Sequence, residues 1–418
     1  MAGMGPMKVL GHISESMAGV SAQHVKIDAS SARDGLKPSS SIAFSLPQNA
    51  LIDLDTLAIH GKVTVTGGRM PSAMSLIERF EVSIGGQVIS GGSSFYGITQ
   101  AMLEANTGSR GDLVTEHGIV AVASKPYQGE HSVGTNEESK VTWSNFKTGF
   151  FGTCGTRVLD TSRLPIITFR ITWAPIKVLV DADATGYQID NVFATMSVLT
   201  ISNPMYTAMQ DAVISSKGFL PLPFKEFSTI RSTNNGIVRA SCSSRSLDRV
   251  HVAYQAAALD AKVDVVTSAS PFAGKTETLF PACETFSPND AYKGTTADIA
   301  ALDSEFYLEL GGVRYPQFRA TLTKEWAKIN RDNLYDEEHS PLDPPCGIVA
   351  VRQKNVSLAR LNLPGSNSAS YSTGINTSMQ SLIIQANNTD FVGAITYITC
   401  ETTPLLMVSA DKGITLSR

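Results

Sequence analysis

Apolar residues occupy every second position in several short runs of the first half of the chain. Leu57, Ile59, Val63 and Val65 belong to one such run. This period of two is typical of a β-strand with one buried face, because successive side chains point to opposite sides of the strand. Clusters of Gly, Pro, Asn and Asp separate the runs. An all-β first half is predicted, with alternating runs at 57–65, 80–84, 167–173 and 192–198.

The second half repeats this pattern after a proline-containing crossing. Residues 215–227 read SSKGFLPLPFKEF and include Pro221 and Pro223, which cannot donate to a sheet ladder. We therefore predict a boundary between two domains here. Strand-length runs with short connections follow, which favours a β-sandwich over alternating strands and helices. These runs lie at 250–254, 306–310, 348–351, 382–384 and 391–400.

The two halves share an unusual local arrangement. Gly85-Gly86 and Gly311-Gly312 each lie between two alternating runs, and glycine pairs favour tight hairpins because both residues can take positive φ. A helical spacing of apolar residues follows each pair about ten residues later. A hairpin and a helix at matching distances predict a duplicated fold with a short helix inserted in each copy. The residues of the inserted helices are Phe95, Ile98 and Met102 in the first copy and Trp326 and Ile329 in the second.

The chain has 418 residues, which suits two domains rather than one core. We predict an N-terminal arm over residues 1–38, a first roll over 39–212, a linker over 213–229 and a second roll over 230–418. The arm carries four basic and three acidic residues, a net charge of +1. An arm with so little charge is not expected to neutralise nucleic-acid phosphates.

Composition and charge exclude several classes of protein. Only 17% of the residues are charged and the net charge is -4, so neither charge-driven disorder nor a non-specific DNA coat is expected. No apolar run is long enough to span a membrane as a helix, and residues 1–20 lack the pattern of a signal peptide. The five cysteines lie far apart and predict buried free thiols.

Candidate chemistry is sparse. The seven histidines form no close metal-binding pair, and no G-x-S-x-G elbow is present. Residues 269–276 fit a relaxed phosphate-loop pattern, but Pro271 removes a backbone donor and Phe272 is bulky. We therefore predict no catalytic residue, no cofactor and no metal site, and we do not expect an enzyme.

Short phrases in both halves, in a matching order, resemble the double jelly-roll major capsid proteins of icosahedral DNA viruses, the adenovirus and tectivirus lineage. One phrase is MSLIERFEVSIGGQVI at 74–89, and FYLELGGVRYPQ at 306–317 is its counterpart. The resemblance covers nearly the whole chain beyond the arm. The phrases that carry it lie at 41–67, 74–89, 187–206, 246–255, 306–317 and 381–409.

The resemblance implies two eight-stranded jelly rolls side by side. It further implies a homotrimer with a pseudo-hexagonal outline, made in the host cell cytoplasm, that tiles a virion shell against neighbouring capsomers. Minor capsid or vertex proteins and an internal membrane are the expected inner partners, and sequence-specific nucleic-acid binding is not expected. The inserted-helix residues would then pack internally or form an interface.

Two other functions remain open at this stage. A pair of jelly rolls also occurs in glycan-binding proteins and hydrolases, since a fold alone does not decide function. The chain could equally be a minor vertex or spike protein of the same virion. Copy number in purified particles separates a shell protein from a vertex protein.

Overall fold

Strands dominate the computed structural model. All strand pairs within its described part are antiparallel. The described residues are 20–66, 76–91, 95–97, 99, 138–144, 146, 148–156, 158–176, 186–201, 205–233, 237–255, 305–310, 312–321, 358–362, 374–378, 382–387 and 395–417.

The first roll consists of two facing sheets. One sheet has the strand order β1-β9-β3-β6, with β7 also paired to β3, and the other has the order β2-β8-β4-β5. A short helix, α1 (Gly149–Thr153), and a 3-10 turn (Thr161–Arg163) connect strands at one end. The strands are β1 (Val20–Asp28), β2 (Ser41–Ser45), β3 (Leu51–Thr66), β4 (Ile77–Ile84), β5 (Gln87–Ser90), β6 (Glu138–Trp143), β7 (Val158–Asp160), β8 (Ile167–Trp173) and β9 (Gly186–Ile201).

The apolar residues at alternating positions of the sequence form the core of this roll. On β8 the side chains of Ile167, Phe169, Ile171 and Trp173 are buried, while the residues between them are more exposed. Large aromatic rings fill the space between the two sheets: Phe169 stacks on Phe44 at 4.9 Å between ring centroids. Burial of such side chains is the main favourable contribution to the stability of a sandwich.

The described strands of the second roll repeat eight of the nine strands of the first. Its sheets have the orders β11-β18-β13-β16 and β12-β17-β14-β15. The strands β1 to β6, β8 and β9 of the first roll can be matched in sequence order to β11 to β18. With this matching, the strand orders of the two sheets are the same in both rolls. The predicted duplication and the all-β class are therefore confirmed. The strands are β11 (Glu226–Thr233), β12 (Ile237–Ala240), β13 (Leu247–Gln255), β14 (Glu305–Leu310), β15 (Val313–Thr321), β16 (Leu358–Asn362), β17 (Leu382–Asn387) and β18 (Ile395–Thr402).

The glycine hairpins lie at equivalent places in the two rolls. Gly85 and Gly86 connect β4 to β5 with φ angles of 58° and 84°. Gly312 lies between β14 and β15 with φ of 83°. Residues with a Cβ atom rarely adopt these angles, so glycine is suited to both turns. Gly311 lies outside the described residues.

The first roll begins earlier than predicted. Residues 1–38 were expected to form an arm, but Val20–Asp28 is strand β1, which pairs with β9 from Val20 opposite Ile201 to Asp28 opposite Phe193. The sequence pattern does not indicate this strand because most of its exposed positions are polar and Ile27 is its one fully buried apolar residue among those described.

The predicted linker over 213–229 also contains regular structure. It holds the end of α2 (Met205–Lys217), all of β10 (Phe219–Pro223) and the start of β11. Strand β10 pairs with β19 (Leu405–Ser409), which pairs with β20 (Ile414–Ser417). Prolines are tolerated because β10 is at the end of this sheet, where one edge needs no donors.

The C-terminal hairpin packs into the core of the first roll. Leu222 and Phe224 from the connection, with Leu406 and Val408 from β19, are buried in the same cluster as the first-roll residues. The second roll was predicted to extend over 230–418. It ends earlier, because the chain returns to the first roll after β18.

Candidate functional site: the seam between the two rolls

A helical turn after β5 connects the two rolls. The backbone N–H of Thr99 donates to the carbonyl of Phe95 at 2.9 Å. The ring of Phe95 contacts that of Tyr397 on β18 edge to face, with 5.9 Å between centroids. This turn occupies the position predicted for the first inserted helix, and it contacts the second roll. The other predicted helix residues, Ile98, Met102, Trp326 and Ile329, lie outside the described residues.

Three threonine hydroxyl groups continue the contact. Thr99 Oγ1 lies 2.6 Å from Thr229 Oγ1 on β11, which lies 2.8 Å from Thr399 Oγ1 on β18. Thr99 also donates its hydroxyl to the Phe95 carbonyl at 2.9 Å. Since each hydroxyl has one proton, Thr229 donates to Thr99 and Thr399 donates to Thr229. All three side chains are buried, so the chain of bonds orients the turn against the sheet.

Strand β18 is buried on both faces. Ile398 and Cys400 point into the second roll, while Tyr397, Thr399 and Glu401 point towards the first roll. All of these residues are at most 3% exposed. The middle of the outer face of the sheet β11-β18-β13-β16, which water would cover in an isolated roll, is therefore covered at Thr229, Thr399 and His251. We call this contact region the seam.

A cluster of charged residues lies at one end of the seam. Lys225 Nζ, from the connection, lies 2.5 Å from Asp248 Oδ2 and 3.8 Å from Glu401 Oε1. Arg249 Nη1 and His251 Nε2 approach Glu401 at 3.5 and 3.4 Å. Asp248, His251 and Glu401 are each at most 3% exposed. Buried charges persist only when they are paired in this way.

The surroundings of Glu401 favour its ionised form. Burial alone would raise the pKa of this carboxyl group, but the hydrogen bond from His251 and the charges of Arg249, His251 and Lys225 outweigh it and lower the pKa from 4.5 to about 2. Glu401 is consequently a carboxylate at neutral pH.

The same cluster fixes the connection to both rolls. Asp248 accepts hydrogen bonds from Ser246 Oγ at 2.9 Å and from the hydroxyl of Thr403. The backbone N–H of Lys225 donates to Thr153 Oγ1 of α1 at 2.8 Å. The charged groups are thus paired with one another and with hydroxyl groups, and the connection is bonded to α1, an arrangement that suits a structural joint.

Sequence reasoning missed this cluster. His251 is 1% exposed and lies beside Glu401. Lys225, Asp248 and Glu401 are separated by up to 176 positions, and only the pairing of β13 with β18 brings the two carboxylates together. One sequence signal could have indicated the cluster: charged residues occur at alternating positions within runs that are otherwise apolar.

The described residues contain neither a metal-binding cluster nor a helix that could span a membrane. Within the described ranges no group of three or more His, Cys, Asp or Glu side chains could hold a metal ion. The helices that the structure describes include none with the length and apolar character of a membrane span. The phosphate-loop-like segment 269–276 lies outside the described residues.

Comparisons with known proteins identify the fold. No protein-family model matches the chain, and no curated protein matches its sequence. A quasi-atomic model of the PBCV-1 virus capsid matches with a TM-score of 0.58 and 11% identity, over 96% of this chain and 97% of that chain. The Faustovirus major capsid protein matches with a TM-score of 0.54 and 9% identity, over 94% and 91%. The Sputnik virophage structure matches with a TM-score of 0.50 and 10% identity, over 95% and 88%. The chain has the double jelly-roll fold of these capsid proteins.

Proposed function

We propose that the chain is a major capsid protein, a structural subunit of an icosahedral virion shell. The observation that carries this proposal is the pair of strand-for-strand equivalent rolls, matched over almost their full length by viral capsid proteins. The buried, mutually paired charges of the seam support a structural role, since they hold the connection against the second roll while the backbone of Lys225 is bonded to α1 of the first.

Three chains form the capsomer in this proposal. Six similar rolls can be arranged as a ring with a pseudo-hexagonal outline, and such rings tile a surface with neighbouring capsomers. The charged fraction of 17% supports extensive lateral contacts, because the cores of protein interfaces are depleted of charged residues.

The inner partners follow from the charge of the N-terminal segment. Residues 1–38 carry a net charge of +1, too little for strong attraction to nucleic-acid phosphates. We therefore assign the inner side of the shell to minor capsid proteins, vertex proteins or an internal membrane, and not to sequence-specific binding of the genome.

The purified protein tests the capsomer directly. Size-exclusion chromatography with light scattering should give three times the 44.6 kDa chain mass, and negative-stain images should show six-lobed rings. A stable monomer that binds an oligosaccharide column would instead support a glycan-binding protein or hydrolase.

Copy number tests the assignment to the shell. Quantitative protein analysis of virions that carry this chain should find it as the dominant protein by mass. A scarce chain in the same particles would identify a vertex or spike protein and contradict the shell assignment.

A further inference from the structure

Two cysteine side chains meet in the interior of the second roll. The thiol of Cys400 donates a hydrogen bond to the sulfur atom of Cys242. Cys242 is 6% exposed, and Cys400 is completely buried. Both are free thiols. Since the two sulfur atoms are already in contact, an oxidant is the one further component that a disulfide between them requires.

The two cysteines belong to opposite sheets of the second roll. Cys400 lies on β18, between Ser228 of β11 and Val250 of β13. Cys242 follows the end of β12, a strand of the sheet β12-β17-β14-β15. Its carbonyl accepts a hydrogen bond from Thr377 Oγ1 at 2.7 Å, which holds the backbone in place. A bond between the two sulfur atoms would therefore join the two sheets of the roll.

The position of Cys242 beyond the end of its strand suits a disulfide. Facing sheets pack about 10 Å apart, whereas the two Cα atoms of a disulfide are usually about 4.4–6.8 Å apart. Cys242 lies in the segment 241–246, which carries the chain from β12 across to β13 of the other sheet. At such a corner one backbone approaches the opposite sheet, and the contact with Cys400 occurs there.

The hydrogen bond between the thiols makes the two cysteines chemically different. It lowers the pKa of Cys242, although burial acts in the opposite direction. The same hydrogen bond, together with burial, raises the pKa of Cys400. Because the thiolate is the reactive form of cysteine, Cys242 is the nucleophile of the pair and Cys400 remains a thiol. By contrast, burial raises the pKa of Cys154 in the first roll to about 12, which keeps that thiol unreactive.

Access to the pair is also from the side of Cys242. The residues on either side of it, Ser241 and Ser243, are exposed. Cys400 has no contact with solvent. A small oxidant therefore meets the reactive sulfur atom first, and the buried thiol lies directly behind it.

We propose that Cys242 and Cys400 form an internal disulfide when the protein meets a hydroperoxide. Cys242 attacks one oxygen of hydrogen peroxide: a sulfur–oxygen bond forms, the oxygen–oxygen bond breaks, and the leaving hydroxide takes up a proton to become water. Cys242 then carries a sulfenic acid.

Cys400 completes the reaction. Its sulfur attacks the sulfur of Cys242, so that the sulfur–sulfur bond forms, the sulfur–oxygen bond breaks and a second water leaves with the thiol proton. In total the two thiols lose two electrons, and one hydrogen peroxide is reduced to two waters. Cytosolic reductants keep such pairs reduced, so the disulfide forms on exposure to an oxidising environment.

The disulfide secures the strand that carries the seam. The opposite face of β18 bears Tyr397, Thr399 and Glu401, which point towards the first roll. Cys242 and Cys400 are 158 positions apart, so the bond closes a long loop in the unfolded chain and lowers its conformational entropy. Oxidation should therefore raise the melting temperature of the protein.

Peptide mapping tests the bond in the wild-type chain. The folded protein is treated with a slight excess of hydrogen peroxide, unfolded in iodoacetamide to block the remaining thiols, and digested with trypsin without reductant. We expect the fragments 240–245 and 361–412 to be joined by a disulfide. Cys154 should be recovered as an alkylated thiol in the same digest. Dimedone should label Cys242 in the variant Cys400→Ala, which lacks the second thiol.

Matched variants test the effect on stability. Peroxide should raise the melting temperature of the wild type by at least about 2 °C. Cys242→Ala should lose both this rise and the linked fragments, whereas the control Cys154→Ala should keep both.

The wild-type digest decides the question even where a variant does not fold. Recovery of Cys242 and Cys400 as alkylated thiols after peroxide treatment would overturn the proposal. A bond from Cys242 to Cys283 or Cys346 would also overturn it. Linked fragments without a rise in melting temperature would refute the claim that the bond secures β18.

Discussion

Replacement of Glu401 by Gln should destabilise the chain strongly at neutral pH. Glu401 is 3% exposed, and Lys225, Arg249 and His251 all approach its carboxylate. Gln has almost the same shape but no charge, so Arg249 and His251 would lose their buried anion. Breaking a buried ion pair by removal of one partner costs about 3–5 kcal/mol. Since Asp248 still pairs with Lys225, the lower end of that range is expected.

The pKa of Glu401 leads independently to a similar figure. A decrease from 4.5 to about 2 on folding corresponds to about 3 kcal/mol at neutral pH, at about 1.4 kcal/mol per pH unit. The folded pKa lies below the unfolded one, so this stabilisation is complete above about pH 5 and disappears as the pH falls towards about 2.

Urea unfolding followed by circular dichroism measures both effects. Wild type and Glu401→Gln should differ by about 3 kcal/mol at pH 7 and converge as the pH falls towards about 2. Asp211→Asn is the control: it removes an ion pair with Arg163 at 2.7 Å whose carboxylate is 57% exposed, and should cost at most about 1 kcal/mol. A difference below about 1 kcal/mol at pH 7 for Glu401→Gln, or one that does not change with pH, would refute the reasoning.

Three further substitutions test other parts of the fold. Gly91→Ala should prevent accumulation of soluble protein, because φ is 97° and a Cβ atom would lie 1.8 Å from the Phe80 carbonyl oxygen; Gly86→Ala, with open space around it, should remain soluble. Leu406→Ala should cost about 2–5 kcal/mol of unfolding free energy, measured by denaturation, if the C-terminal hairpin is part of the first-roll core. Thr99→Val should cost about 1 kcal/mol, and a double-mutant cycle with Thr229→Val should give a positive coupling energy; additive effects would contradict the hydroxyl chain.

The fold could be predicted wherever a strand buries one face against an apolar core. The alternation on β8 and the glycine turn at Gly85 and Gly86 depend on local geometry alone, so the sequence indicates both. Strand β1 was missed because its outward face is polar and its partner β9 is about 170 positions away. Pairing with a distant strand leaves little trace in local periodicity.

The seam was only partly predictable. The helical spacing after β5 placed Phe95 in an inserted turn, yet its contact with Tyr397 depends on how the two rolls meet. The charges around Glu401 come from the connection, β13 and β18, which no local pattern brings together. Pro221 and Pro223 indicated a domain crossing but could not reveal that β19 returns to pair with it.

A cryo-EM map of the purified oligomer would show whether the chain is a capsid subunit built from two equivalent rolls. We expect a closed ring of six rolls from three chains. A dimer related by a two-fold axis, or a stable monomer, would contradict the assignment to a capsid shell.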